Sequence, residues 1–354
     1  MKCTSHSCMV KVTALMLALL MLVSLVGCGA ASQFESASQG TASSIASESV
    51  AEEGIQLIDQ AGREVHLEQP AQTLVSCYYI TSYATIALGV SDRVVGLEKK
   101  AETRPIYKIA APDLLEKTQV GTLKEFNVEA TAALEPDLVL MPKKLMDYAD
   151  TLTDLGIAVL VVDPENQDKL EEMLTLIGKA CGVEEKAQAL IAYYDAQEKR
   201  LAEMTADVEK PSVYFAGNSA YLETATPAMY QDTLIRAAGG VNAAANIEGD
   251  YWTEVSYETL LAMNPDVMIL PPKAAYSAED ILQDAELAEL TAVKNKAVYQ
   301  MPKDIEEWDS PVPSGVMGAL WMTSVLHPEV YAPETFAADA EDFYHTYYGL
   351  EKAA

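Results

Sequence analysis

Apolar positions along this chain fall into three rhythms. The first is a continuous run, Val12 to Val26, broken only by Thr13 and Ser24. It is shorter than the roughly 20 residues a membrane-spanning helix needs, and fits the apolar centre of a secretory signal. The second, Ala30 to about Glu53, is rich in Ser, Ala, Gln and Glu with only isolated apolar residues, and reads as a flexible tether. From Gly54 onward, short apolar runs alternate with helical spacing. A hairpin is expected over Gly54 to Leu67, turning at Asp59-Gln60-Ala61-Gly62. Thr73 to Ser76, Val94 to Leu97, Leu138 to Met141 and Ala158 to Val162 read as strands, and Ser82 to Leu88 as a helix stopped by Gly89. A helical tract follows from Gln167 to about Thr205, interrupted near Cys181-Gly182. Its second half places Ala187, Leu190, Ile191, Tyr194 and Leu201 on one face. Pro211 ends it, and the strand Ser212 to Ala216 opens a second series.

The second series repeats the first. The segment from Asn127 to Pro142 is matched by Ser256 to Pro271 at a constant offset of 129, pairing Glu129 with Glu258, Pro136 with Pro265 and Pro142 with Pro271. Lys144 and Lys273 keep the same offset. Each copy reads as a capped helix, a Pro-Asp turn, and a buried strand leaving through a Pro. The predicted fold is therefore α/β: two similar lobes with mostly parallel central sheets, bridged by a long rigid helix, with a ligand cleft between them. The expected boundaries are a signal over 1–27, a lipidated Cys and tether over 28–53, an N-terminal lobe over 54–166, a bridging tract over 167–208 and a C-terminal lobe over 209–354.

Chemistry at the amino terminus extends this picture. Lys2 and Lys11 precede the apolar run, no Asp or Glu occurs before Cys28, and Leu25-Val26-Gly27-Cys28 resembles the lipobox of bacterial lipoproteins. That resemblance makes Cys28 the lipidated first residue of an exported chain, held outside the cytoplasm at the membrane. Two acyl chains give a stable anchor where one gives marginal binding. With the signal removed, 22 of the 24 basic residues face 53 acidic ones, which argues against a nucleic-acid partner. Cys77 and Cys181 are the remaining cysteines, expected as two buried thiols.

Taken together, these pieces resemble the helix-bridged substrate-binding proteins of ABC importers for iron complexes, haem and cobalamin. The likeness covers about Gln56 to Tyr331. It rests on the opening hairpin, the two Glu-containing helix–Pro-Asp–strand units, and the segment Glu307-Trp308-Asp309-Ser310-Pro311 leading to Leu320-Trp321. It implies capture of a small-molecule ligand between the lobes and delivery to a permease dimer with its ATPase, with no catalysis and no resident cofactor. It also implies that Glu129 and Glu258, one per lobe, pair with permease arginines. Both also suit the first turn of a helix, where the dipole favours an acid, and Glu254 is a rival for the second position.

For the ligand, aromatic and basic residues near expected strand ends are the candidates: Tyr78, Tyr79, Tyr83, Arg104, Tyr107, Lys144, Tyr221, Tyr251, Trp252, Lys273 and Trp308. Aromatic faces suit a large planar or macrocyclic ligand, and phenols can donate to an anionic chelate or ligate ferric iron. Lysines and Arg104 suit an anion such as a ferric siderophore, with Lys143 read as a solvated loop residue. Met141 and Met229 can touch haem or a corrinoid, although core packing is the commoner use of Met. A free-metal site needs converging His and carboxylates, and the mature chain has only His66, His327 and His345, far apart in sequence. An oxyanion such as molybdate fits the paired lysines. A lipid-anchored hydrolase is the remaining alternative. Gly217-Asn218-Ser219-Ala220-Tyr221 is its nearest approach to a nucleophile elbow, and it lacks the second Gly.

Overall fold

Residues 54–249 and 251–351 are described by a computed structural model. Cys28, the signal and the tether lie outside them. The described residues belong to one compact unit. An antiparallel hairpin, β1 (Ile55–Ile58) and β2 (Glu64–Leu67), comes first. Its turn is set by Asp59, whose carboxylate accepts from the backbone of Ala61 and Arg63 at 3.0 and 2.8 Å, and by Gly62 at φ 79°.

Five parallel strands follow: β3 (Leu74–Ser76), β4 (Val94–Glu98), β5 (Thr118–Gly121), β6 (Leu138–Pro142) and β7 (Ala158–Val162), in the order β5-β4-β3-β6-β7. A second parallel sheet has the order β10-β8-β12-β13, from β8 (Ser212–Phe215), β10 (Val241–Asn242), β12 (Val267–Leu270) and β13 (Val298–Gln300). Between these in sequence, β9 (Glu223–Thr224) and β11 (Thr253–Glu254) form a small antiparallel pair. Strand for strand, β4-β3-β6-β7 corresponds to β10-β8-β12-β13, and the first sheet adds β5 at its edge. The expected α/β fold with two similar parallel sheets is the one observed.

Period-two alternation explains why the strands are apolar throughout. Leu138 and Leu140 face one core while Val139 and Met141 face the other, as parallel sheets covered on both sides require. Met141 is thus a core residue. The larger core takes Val213, Phe215 and Ile269 from the second sheet as well, so one apolar interior joins both halves.

The helical tract is two helices, Gln167–Cys181 and Glu184–Met204, separated at Gly182 in the left-handed region at φ 66°. The 21 residues of the second span roughly 30 Å at 1.5 Å per residue. That helix packs on Gln167–Cys181 at one side and on Tyr230–Ala237 and Val316–Leu326 at the other. Cys77 and Cys181 are both buried and unbridged.

The internal repeat has a physical basis at its Pro-Asp turn. Glu135 and Asn264, one residue before each Pro, take positive φ of 46° and 42° and stop the helix. Asp137 then accepts from the backbone N–H of Gln72 and Thr73, each at 2.8 Å, and Asp266 from Ser212 at 2.8 Å. Each aspartate thereby ties the start of one central strand to the start of its neighbour.

Candidate functional site

In both sheets the parallel strands end toward a common seam, which is where open α/β sheets bind ligands. Tyr78 follows β3, Lys144 follows β6, and Asp163 and Glu165 follow β7. With Tyr251 and Pro311 from the second half, they line a cavity of about 480 Å³. Lys143 bonds to Asp163 at 2.7 Å, and burial of that carboxyl is outweighed by Lys143, so its pKa lies below the usual range. Lys144 is exposed, and pairs with no carboxylate among the described residues. A separate cavity of about 500 Å³ lies beside the bridging helix, its wall carrying Asp168, Glu171, Asp195 and Glu198. Four carboxylates against the one arginine of its wall, Arg236, make it the poorer site for an anion.

Beside the first cavity the two halves are joined by an ion network. Glu307, with 9% of its side chain exposed, accepts from Arg104 at 2.6 Å and from the Tyr83 hydroxyl at 2.8 Å, and also contacts Lys273. Arg104 and Tyr83 come from the first half, Lys273 and Glu307 from the second. Burial works against the Glu307 charge, but Arg104 above all, then Lys273 and Tyr83, hold its pKa below the carboxylate norm. The Arg104 guanidinium lies 3.8 Å over the Tyr79 ring, and Tyr79 packs edge-on against Tyr78 at 4.9 Å. Behind them, buried Glu98 takes hydrogen bonds from Tyr107 and, at 2.7 Å, from Ser82. On the far side buried Glu306 accepts from Tyr344 and Tyr348 at 3.0 and 3.1 Å.

The structure therefore gathers Tyr78, Tyr79, Arg104 and Lys273 at the seam, puts Lys144 and Tyr251 on the cavity wall, and buries Tyr83 fully behind Glu307, away from the cavity. Tyr107 is fully buried, and Trp308 is buried against Phe336 with its indole N–H donated to Tyr344 at 2.8 Å, so neither faces the cavity. Trp252 is half-buried with its ring 6.2 Å from Phe215. Tyr221 bonds to Tyr257 and Asp284 at 3.1 and 2.8 Å within the second half. Glu129 and Glu258 are both exposed in helix first turns, behind the caps Asn127 and Ser256. Glu254 is exposed on β11. Glu98, Asp163, Glu165 and Glu307 were not legible as site residues. Glu307 stood inside the segment singled out in the sequence, but its partner Arg104 is 203 residues away, beyond any local pattern.

Strand ends of the first sheet wall a polar, aromatic cavity that loops of the second half complete, and a helix packs on both halves; this is the arrangement of a solute-binding protein. The chain belongs to the periplasmic binding protein family, whose profile matches residues 74–305. It is 25% identical over 320 residues to the molybdate-binding protein MolA of Haemophilus influenzae, covering 82% of this chain and 90% of that one. It is 27% identical over 248 residues to a cobalamin-binding protein of Halobacterium salinarum, covering 68% of this chain and 64% of that one. Among solved structures, a periplasmic solute binding protein from Veillonella parvula superposes with a TM-score of 0.75 at 26% identity, over 84% of this chain and 94% of that one. The chain is accordingly an extracytoplasmic substrate-binding protein of an ABC import system.

Proposed function

We propose that this protein captures an anionic iron chelate, of the siderophore or haem type, in the cavity at the seam and hands it to its permease. The observation that carries the reading is the cavity itself. Its volume of about 480 Å³ falls within the range that holds drug-sized ligands, roughly 300–1,000 Å³, and its wall combines Tyr78, Tyr251, the Lys143–Asp163 pair, Glu165 and Lys144, which pairs with no carboxylate among the described residues. Phenol rings and an exposed ammonium suit a conjugated, negatively charged ligand better than a small ion that leaves most of the space empty. Corrinoids share the aromatic preference and stand within the same reading, supported by the likeness to a cobalamin-binding protein. An oxyanion is the second reading, favoured by the likeness to a molybdate-binding protein over most of the chain.

Purified protein offered ferric catecholate and hydroxamate chelates, haemin, cyanocobalamin and molybdate separates these readings by native mass and absorption spectrum. Retention of an iron chelate is the expected result, and retention of molybdate alone overturns it. Cys28 is proposed as the lipid attachment point. Changing it to Ala should move the protein from the membrane to the soluble fraction on cell fractionation, and continued membrane association would remove the assignment.

A further inference from the structure

Glu307 is an anion already sitting on the basic groups of the seam. Its carboxylate is nearly closed to solvent, while the cations around it are partly open: 21% of the Arg104 side chain and 46% of that of Lys273 are exposed. An incoming anion therefore meets the cations first, on their open side, and must compete with the carboxylate for them. The site is also next to the ligand cavity, since Arg104 stacks on Tyr79, and Tyr79 packs against the cavity residue Tyr78. We infer that Glu307 is a specificity-determining residue: it occupies Arg104 and Lys273 as an internal anion that a ligand's own anionic group must displace. The inference rests on the cavity's being the site of an anionic chelate.

Such an arrangement selects by charge. A neutral ligand of the same shape cannot replace the carboxylate, because Arg104 and Lys273 would lose a partner and gain none. A polyanion can, and displacement would also free the buried Tyr83 hydroxyl, which now donates to Glu307 at 2.8 Å. The neighbouring acids strengthen the case. Burial pushes Glu306 up to about 8 and Asp309 up to about 7, with the Glu307 charge adding to both. Glu307, held below the carboxylate norm by Arg104 and Lys273, is thus the acid of this stretch that the fold keeps charged.

The alternative is a permanent clamp, in which Glu307 only holds the halves together. Glu307→Gln distinguishes the two, because the amide keeps the shape and removes the charge. With the iron(III) tris-catecholate trianion as probe, followed by titration calorimetry, the variant should bind at least tenfold tighter than the wild type. Equal or weaker binding by the variant overturns the inference while leaving the chelate reading intact. Lys273→Gln, at a half-exposed position, supplies a second test that does not depend on the first variant folding. It should weaken binding of the same probe at least tenfold, and unchanged affinity counts against the inference. Wild-type binding of neutral cyanocobalamin alone overturns the inference and leaves only the corrinoid part of the proposed function, and no binding of any chelate or corrinoid overturns both.

Discussion

Glu306, Glu307 and Asp309 stand within four positions of one another, and their surroundings push their pKa values in different directions. Burial favours the neutral carboxyl of Glu306 against the hydrogen bonds of Tyr344 and Tyr348, and Asp309 is raised by burial and then by Glu307. Between the unfolded carboxyl range near ~4 and these raised values, the folded chain holds protons that the unfolded chain has released. Stability therefore falls as pH rises through that window, by roughly 1.4 kcal/mol per pH unit for each full proton. Glu307 acts in the opposite sense: its contribution is present at neutral pH and is lost as pH falls below the ordinary carboxylate range. The expected outcome is a higher urea midpoint at about pH 6 than at about pH 8, with the slope flattened in Glu306→Gln. A midpoint that does not move between those values would mean that Glu306 and Asp309 are ionised in the fold.

At the scale of elements, what the sequence made legible and what it hid divide by range. The strands and helices are written in local periodicity, so β7 and the break near Gly182 are where the pattern puts them. The Pro-Asp repeat was visible because each Asp does the same job in each half, and Glu135 and Asn264 even share the left-handed conformation. Burial of Tyr107 and Trp308 was not visible, because their partners Glu98 and Tyr344 are brought up by the fold, and an amphipathic ring looks alike at a wall or in a core. Close helix contact was hidden for a similar reason. A Cβ on Gly178 would stand 2.8 Å from the Ala187 Cβ, so the two helices meet through the absence of a methyl group. Gly178→Ala should lower stability by about 1–3 kcal/mol through overpacking, although Ala is the better helix former. Restoring the space with Ala187→Gly should recover most of the loss, as thermal melts of the single and double variants would show. A single variant more stable than wild type would mean that the helix pair yields without strain.

For the whole molecule, the repeat sets one acidic helix start on each half, and we propose that both dock on the permease. Glu129 and Glu258 are exposed, each follows a cap that accepts a backbone N–H at 2.9 or 3.0 Å, and neither pairs with a cation among the described residues. A first-turn acid gains only about 0.3–1 kcal/mol from the helix dipole, so reversing its charge costs the fold little. The same reversal would set like charges against a basic partner surface, where juxtaposition costs several kcal/mol and slows encounter. On that proposal a two-subunit permease would meet one acid with each subunit, so one reversal should leave half the docking contact and two should leave none. Glu129→Lys together with Glu258→Lys is therefore expected to abolish ligand-dependent stimulation of the reconstituted permease ATPase, with the single variants intermediate. Ligand affinity should stay at the wild-type value, since both helix starts stand apart from the residues lining the seam cavity. Full stimulation by the double variant would remove the two glutamates from the docking surface. A parallel loss of ligand affinity would place them in the binding site instead.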